Sequence, residues 1–315
     1  MQNLDQTNSP LTWNFGLPWG LENQGGSNKN DLAQWPKISI VTPSFNQGEF
    51  LEATIKSVLL QGYPNLEYII IDGGSSDSSK EIIQKYEKYL SFWVSEKDNG
   101  MYHAINKGFL RATGEILAWI NSSDMLCPWA FWVVAQIFYQ NPDIEWLSSL
   151  FPIRWAANGM IVNCQSSKGF NKDLFYLERC HMQQESIFWR KELWNRTGAG
   201  IDERFSYAGD VELWARFFEQ AELYGVNVPL GGSRYHKNKI SSSSAYFQEY
   251  QRVLKKYKPG AKEKVRAILR SFKVNEVPKV RVLIHKLFGY DLPLIIGKEA
   301  KGKIVWKAEI QRQLL

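Results

Sequence analysis

Asp72, Asp98, Asp124 and Asp210 each sit at the border between an apolar run and a polar turn, in the segments YIIIDGGSSD, DNGMYHAINKG, ILAWINSSD and YAGDVELW. A carboxylate accepts N–H and O–H hydrogen bonds and coordinates hard cations. Four of them in such turns are therefore a chemical resource, provided that the chain brings them to one place. Apolar runs rich in β-branched residues that stop at polar turns read as buried strands. Such strands deliver their C-terminal turns to one edge of a sheet, and in open α/β sheets that edge is where ligands bind.

The intervening segments supply the rest of that sheet. Ile38–Thr42 reads as the first strand, and Glu49–Gln61 has helical spacing of Leu51, Ile55, Val58 and Leu59, ended by Tyr63-Pro64-Asn65. Leu66–Ile71 is a second strand, and a helix capped by Asp77 or Ser78 runs to Tyr89. Ser91–Ser95, Met101–Ala112, Glu115–Ile120 and Pro128–Tyr139 continue the alternation of strand and helix. This pattern predicts an α/β fold with a mostly parallel central sheet flanked by helices. Beyond Asn141 the elements shorten, with strands expected at Trp146–Ile153, Met160–Val162, Ser186–Trp189 and Val226–Leu230 and a helix at Asp210–Glu222. Phe247–Leu269 and Val277–Phe288 read as amphipathic basic helices.

Composition narrows the classes. The chain has 315 residues, 44% hydrophobic and 14% aromatic, with 13 Trp, which suits a large core and excludes disorder. Cys127, Cys164 and Cys180 are too few and too scattered for a disulfide framework, and the histidines show no zinc spacing, so a reducing cytosol is expected. The N-terminus lacks a signal-peptide pattern, and no apolar run approaches the roughly 18–20 residues that span a bilayer. The net charge of +6 is unevenly spread: residues 247–315 carry 17 Lys or Arg against 6 Asp or Glu, and the remainder 21 against 26. A basic tail of this kind lies on an anionic membrane surface or forms a solvated helix face. Nucleic-acid binding is not expected, because no RRM or OB pattern accompanies the charge. No GxGxxG follows a strand, which removes the main support for a dinucleotide fold.

Taken together, these segments resemble a known family. From Ile38 to Pro128, VTPSFNQGEFLEATIKSVLLQGYPNLEYIIIDGGSSD and SEKDNGMYHAINKGFLRATGEILAWINSSD are similar to family-2 glycosyltransferases of the GT-A fold. QQESIFWRKELW and GIDERFSYAGDVELWARF resemble the acceptor-side half of that family. The resemblance implies a division into an N-terminal extension (1–36), a nucleotide-sugar half (37–128), an acceptor half (129–245) and a basic helical tail (246–315).

It also implies roles. Thr42, Pro43 and Asp72 would hold the nucleotide base, with Asp98 and Gly100 near base and ribose. Asn106 and Lys107 would follow on the next helix, unless they form only its solvated face. Asn121 and Asp124 fall in the metal-binding motif, where a carboxylate holds Mg²⁺ or Mn²⁺ on the donor diphosphate. Ser123 stands where relatives commonly carry a second acidic residue. Asp210 matches the catalytic base, with Glu212 as runner-up and an N-cap as the plainer reading. His236 matches a residue near the diphosphate or metal. Gln184, Glu185, Trp189 and Arg190 match acceptor-side positions, Trp189 stacking on a sugar or belonging to the core.

The implied activity is inverting transfer from a nucleoside diphosphate-sugar donor to a hydroxyl of a glycan or lipid-linked saccharide, in cell-surface polysaccharide synthesis. The expected location is the cytoplasm, with the inner membrane face as a peripheral site. The alternative is a catalytically silent relative that binds nucleotide or glycan as a partner subunit. A nucleotidyltransferase lacks its Gly/Arg/Lys-rich phosphate loop here.

Overall fold

A computed structural model describes residues 35–164, 166–180, 182–236, 244–256, 260–261, 264–265, 289–300 and 303–313. The aromatic patch at 11–19 and the helix expected over Val277–Phe288 lie outside them. β1 (Ile38–Ser44) is buried along its whole length. It occupies the interior of the main sheet, between β2 and β4, and this position requires a continuous apolar run. α1 (Gly48–Leu59) turns Phe50, Leu51, Ile55 and Val58 inward. β2 (Leu66–Asp72), α2 (Ser79–Tyr86), β3 (Phe92–Ser95), α3 (Met101–Phe109) and β4 (Ile116–Trp119) follow in the expected order. β1 pairs in parallel with both β2 and β4, and β2 with β3. The polar turns after these strands therefore open on one edge.

The second half is woven differently. β5 (Met125–Leu126), α4 (Ala130–Gln140), β6 (Trp146–Ser149), β7 (Ile153–Trp155), β8 (Ile161–Cys164) and α5 (Lys172–Tyr176) lead to β9 (Ile187–Arg190). β9 is antiparallel to both β4 and β6 and joins the two halves. α6 (Lys191–Arg196), α7 (Gly209–Phe218), β10 (Leu223–Val226), β11 (Gly231–Arg234) and α8 (Ser244–Leu254) come next. With β12 (Tyr290–Ala300) and β13 (Lys303–Gln313), the main sheet among the described residues has the order β13-β12-β10-β6-β9-β4-β1-β2-β3, and a smaller sheet the order β5-β11-β7-β8.

Two expectations change. Of the strand placed at Val226–Leu230, only Val226 is in a strand, as the end of β10, and residues 227–230 connect β10 to β11. Pro229 in that stretch has no N–H to give a ladder, whereas Leu223–Val226 pairs in parallel with β6. The tail, expected to be helical from 246 onward, is helical in α8 but ends in a hairpin of β12 (Tyr290–Ala300) and β13 (Lys303–Gln313). β12 adds to the free side of β10 at Gly225 and Val226, burying Leu292, Leu294 and Ile295. Trp306 of β13 donates its main-chain N–H to Gln140 and its indole N–H to Gln136 of α4. The hairpin owes its form to these distant partners, not to its local sequence.

The tryptophans explain themselves in the core. Trp119, Trp146, Trp189 and Trp214 pack with Phe109, Trp194 and Phe217 at ring separations of 4.8–6.4 Å. This aromatic layer joins β4, β6 and β9 to α7 and gives the site a rigid floor. Among the described residues, no helix is long and apolar enough to cross a membrane.

Candidate active site

The edge begins with two stitched loops. Asp72, fully buried at the end of β2, accepts from the main-chain N–H of Ser75 (2.9 Å), from Ser75 Oγ (2.6 Å) and from Ser95 Oγ (2.7 Å). Asn46 donates its N–H to Ser75 Oγ at 2.8 Å and accepts from Ser76 N–H at 2.9 Å. Asp77 accepts from Gly48 N–H at 2.8 Å and from Ser79 N–H at 3.0 Å. The Ser-rich sequence after β2 thus makes a rigid turn whose donors are internally paired. Asp98 lies against it: a Cβ at Gly73 would come within 2.7 Å of Asp98 Oδ2, so only glycine admits that carboxylate. Asp98 also accepts from Gly100 N–H at 2.8 Å, at the start of α3.

The motif after β4 is more buried. Asp124, 3% exposed, accepts from Arg234 N–H at 2.9 Å and from Asn121 Nδ2 at 3.3 Å. Asn121 also donates to Gln184 Oε1 at 3.3 Å, and Gln184 donates to the Trp119 carbonyl at 2.6 Å. His236 Nε2 lies 3.2 Å from Ser123 Oγ, and the His236 ring packs on Phe50 at 5.0 Å. Arg234 sits over the same Phe50 ring. It is 4% exposed and donates from Nη1 to the Ala157 carbonyl, while its Nε and Nη2 have no hydrogen-bond partner. The Asn121 Oδ1 is likewise buried without one. Desolvation pulls the Arg234 guanidinium below its ordinary range, against the attraction of Asp124 and Glu49.

Asp210 stands in the first turn of α7, partly accessible, its Oδ1 accepting from Val211 N–H at 2.9 Å. Burial pushes its carboxyl up to about 7, reinforced by the charge of Glu185. Tyr102 of α3 anchors the turn before it, accepting from Gly209 N–H at 2.9 Å and donating to the Tyr207 carbonyl at 2.8 Å. A Cβ at Gly209 would strike the Tyr102 ring at 2.8 Å, so the anchor depends on glycine there. Glu185 is the link between halves, since its neighbour Gln184 holds Asn121 while Glu185 faces Asp210. A carboxyl raised toward neutrality, linked through Glu185 and Gln184 to the half-buried Asn121 and His236 and the buried Asp124 and Arg234, is suited to proton abstraction beside an anionic ligand.

Residues 39–144 match the family described as glycosyl transferase family 2. That segment is similar to a family-2 glycosyltransferase domain. The matched segment runs from β1 through α4 and takes in the turns that carry Asp72, Asp98 and Asp124. An uncharacterized glycosyltransferase of Mycobacterium tuberculosis is 40% identical over 90 residues, covering 28% of this chain and 34% of that one. A putative teichuronic acid biosynthesis glycosyltransferase of Bacillus subtilis, TuaG, is 37% identical over 97 residues, covering 30% and 38%. The alignments thus span little more than a third of these relatives' length. S. aureus TarS, solved with UDP-GlcNAc, shares the fold with a TM-score of 0.58 at 16% identity, over 69% of this chain and 64% of that one.

The structure shows what several of the expected site residues touch. Thr42 is buried, its hydroxyl 3.0 Å from Tyr68 OH, so its side chain serves the sheet. Pro43 is buried beside it. Asn106 clasps the Ile201 main chain through both amide atoms and also donates to Glu203; Lys107 pairs with Glu96. These contacts of both side chains hold α3 in place. Trp189 is fully buried in the aromatic floor and cannot stack on a sugar. Arg190 donates to the carbonyls of Ile144 and Phe138, fastening β9 to α4. Glu212 is tied to Arg216 at 2.9 Å, which leaves Asp210 the freer carboxylate of α7. Tyr102 and Arg234 escaped the sequence reading. Arg234 was within reach of it, two residues before His236 in RYHK, but Tyr102 acts over 107 positions and leaves no local signal.

Proposed function

We propose that this chain transfers a sugar, with inversion, from a nucleoside diphosphate-sugar to a hydroxyl of a glycan or lipid-linked saccharide in cell-surface polysaccharide synthesis. The observation that carries the proposal is Asp210, a carboxyl held at about 7 in the first turn of α7 and facing Glu185, whose neighbour Gln184 holds Asn121. Such a group exists in quantity as the base at neutral pH and is basic enough to take the proton of an attacking hydroxyl. The base edge would be formed by the stitched loops with Asp72 behind them and Asp98 at the front. Support for the donor class comes from TarS, whose structure holds UDP-GlcNAc on the same fold. A Campylobacter jejuni relative named for glucosyl transfer to an undecaprenol-linked saccharide, 25% identical over 60% of this chain, supports the acceptor class.

Among the described residues no group of three or more His, Cys, Asp or Glu forms a metal cage. Mg²⁺ commonly needs only one or two carboxylates beside substrate phosphates and waters. Asp124 fits that smaller role, and the unpaired nitrogens of Arg234 beside it favour an anionic ligand. Asp124 would hold Mg²⁺ or Mn²⁺, which when bound supplies charge stabilisation to the leaving diphosphate. The chain's own contributions are separate: Asn121 and Gln184 fix the wall, His236 and Ser123 close it, and Asp210 takes the acceptor proton. A silent, nucleotide-binding partner subunit is the second reading, favoured by Ser123 at the expected acidic position. Incubation with UDP-, GDP- and dTDP-sugars plus Mn²⁺ and saccharide acceptors decides between them. Release of nucleoside diphosphate that depends on Asp210 supports transfer; tight binding without release supports the silent relative.

A further inference from the structure

The turn that carries Asp210 is held from outside the matched family segment. α7 has Ala208 at its N-cap, a residue with no side chain to satisfy the helix's first N–H groups. Glu249 of α8, 41 residues along the chain from Ala208, instead holds the turn that leads into the helix. Its carboxylate accepts from three successive main-chain N–H groups, those of Ser206 (3.0 Å), Tyr207 (2.8 Å) and Ala208 (2.9 Å). Desolvation opposes the charge, but these three bonds leave the Glu249 carboxyl below its ordinary range, so it remains ionised at the positive end of α7. α8 is fastened on either side of this contact. Arg252 stacks on Phe205 at 4.5 Å, Gln251 donates to Glu178 at 2.7 Å, and Val253 and Leu254 are buried. The same helix turns Tyr246 and Tyr250, stacked on each other, toward Asp210.

We propose that Glu249 is a positioning residue for Asp210, and that α8 with Tyr246 forms the acceptor-side wall of the site. The proposal rests on the reading of Asp210 as the base. The groups that face Asp210 are Glu185 from the turn before β9, Tyr102 from α3, and Tyr246 and Tyr250 from α8. Of these, Glu185 and Tyr102 belong to elements other than α8. Release of α8 would let water reach the Asp210 carboxyl and allow the Ser206–Ala208 turn to shift, and displacement of a reacting group by about 1 Å costs on the order of 100-fold in rate.

The test uses the full chain with Glu249→Ala, Glu249→Gln, and Gln251→Ala as a control that breaks another α8 contact. The first readout needs no substrate: the stability difference between each background and its Asp210→Asn derivative, followed across pH, reports where Asp210 titrates in the folded protein. The second is kcat alongside donor affinity by calorimetry. In the Glu249→Ala background the titration midpoint should move down toward the ordinary carboxylate range. kcat should fall about 10- to 100-fold with donor affinity unchanged. Glu249→Gln keeps an acceptor oxygen and should lose less; it also serves if the Ala variant does not fold. Gln251→Ala loosens one fastening of α8 but keeps the three Glu249 bonds, so its Asp210 midpoint should hold and its kcat should fall less than in Glu249→Ala. An unchanged Asp210 midpoint in both Glu249 variants, with kcat falling no further than in the control, overturns the proposal. Full turnover in Asp210→Asn would instead overturn the base reading, while the midpoint comparison still decides what Glu249 does.

Discussion

Replacing Asp210 by Asn removes a charge but almost no volume, and Asn can still accept from Val211 N–H. Burial and Glu185 hold the parent carboxyl at about 7 against an ordinary 3.8. A shift of that size corresponds to roughly 4 kcal/mol at ~1.36 kcal/mol per unit, an upper figure because the group keeps some access to water. The sign follows from proton counts. Between pH 3.8 and about 7 the unfolded chain has released this proton and the folded protein has kept it, so this group's contribution to stability declines as pH rises through that window. The Asn variant does not titrate there. It should match the parent below about pH 4 and exceed it above pH 7, by up to about 4 kcal/mol. Catalysis should move the opposite way: kcat falls about 10²–10⁴-fold while donor affinity holds. The parent's kcat/KM should climb with pH to a plateau above about 7. Denaturant unfolding at pH 4, 6 and 8, with steady-state kinetics on the same preparations, makes the comparison. A stability gap that ignores pH refutes the buried-carboxyl argument, and full turnover in the variant refutes the base.

Other outcomes rest on the same geometry. Glu67, buried and bonded to Ser39, Thr113 and Lys37, is held down at about 2 by those bonds in spite of its burial. Glu67→Gln should cost up to about 3 kcal/mol at neutral pH, a difference that vanishes as pH falls from 4.5 through 2 and is measurable by urea unfolding. Trp189→Ala should destabilise by about 3–5 kcal/mol, and calorimetry on the folded fraction should find donor affinity preserved; selective loss of acceptor affinity would restore a sugar-stacking role. Asp124→Asn should abolish the extra thermal stabilisation that Mn²⁺ gives a donor complex, and an unchanged Mn²⁺ response would place the cation elsewhere. Asp72→Ala should loosen the Ser75 turn and weaken nucleotide binding, while Asp98→Ala should weaken binding with little effect on Tm; titration calorimetry with the preferred nucleotide reads both.

What the sequence disclosed was whatever local pattern decides. β1 and β2 announce themselves because an interior parallel strand must be apolar on both faces, and the turns after them because Gly, Ser and Asp have few other uses there. The side-chain roles were less legible where they depend on contacts far along the chain. Asn106 looked free on a helix face but is spent on Ile201, 95 positions away. Trp189 could be read as a sugar platform or as core, and it is core because β9 inserts antiparallel between β4 and β6. The terminal hairpin had no local advocate: its strands exist because β10 leaves a side open and α4 offers Gln136 and Gln140. Glu249, on a helix that was read only for its charge, shows the same limit.

The most direct measurement of the central claim is a donor panel scored for both binding and chemistry. A true donor at 100 times its Kd should stabilise the fold by about 2.7 kcal/mol, so thermal shift with UDP-, GDP- and dTDP-sugars and Mn²⁺ selects the nucleotide. NMR of the product formed from that donor and a saccharide acceptor then reads the anomeric configuration. The account predicts release of nucleoside diphosphate and an inverted linkage from the parent, and from Asp210→Asn equal thermal shift without product. A parent that binds the donor yet yields no product with any acceptor, or yields one with retained configuration, contradicts it.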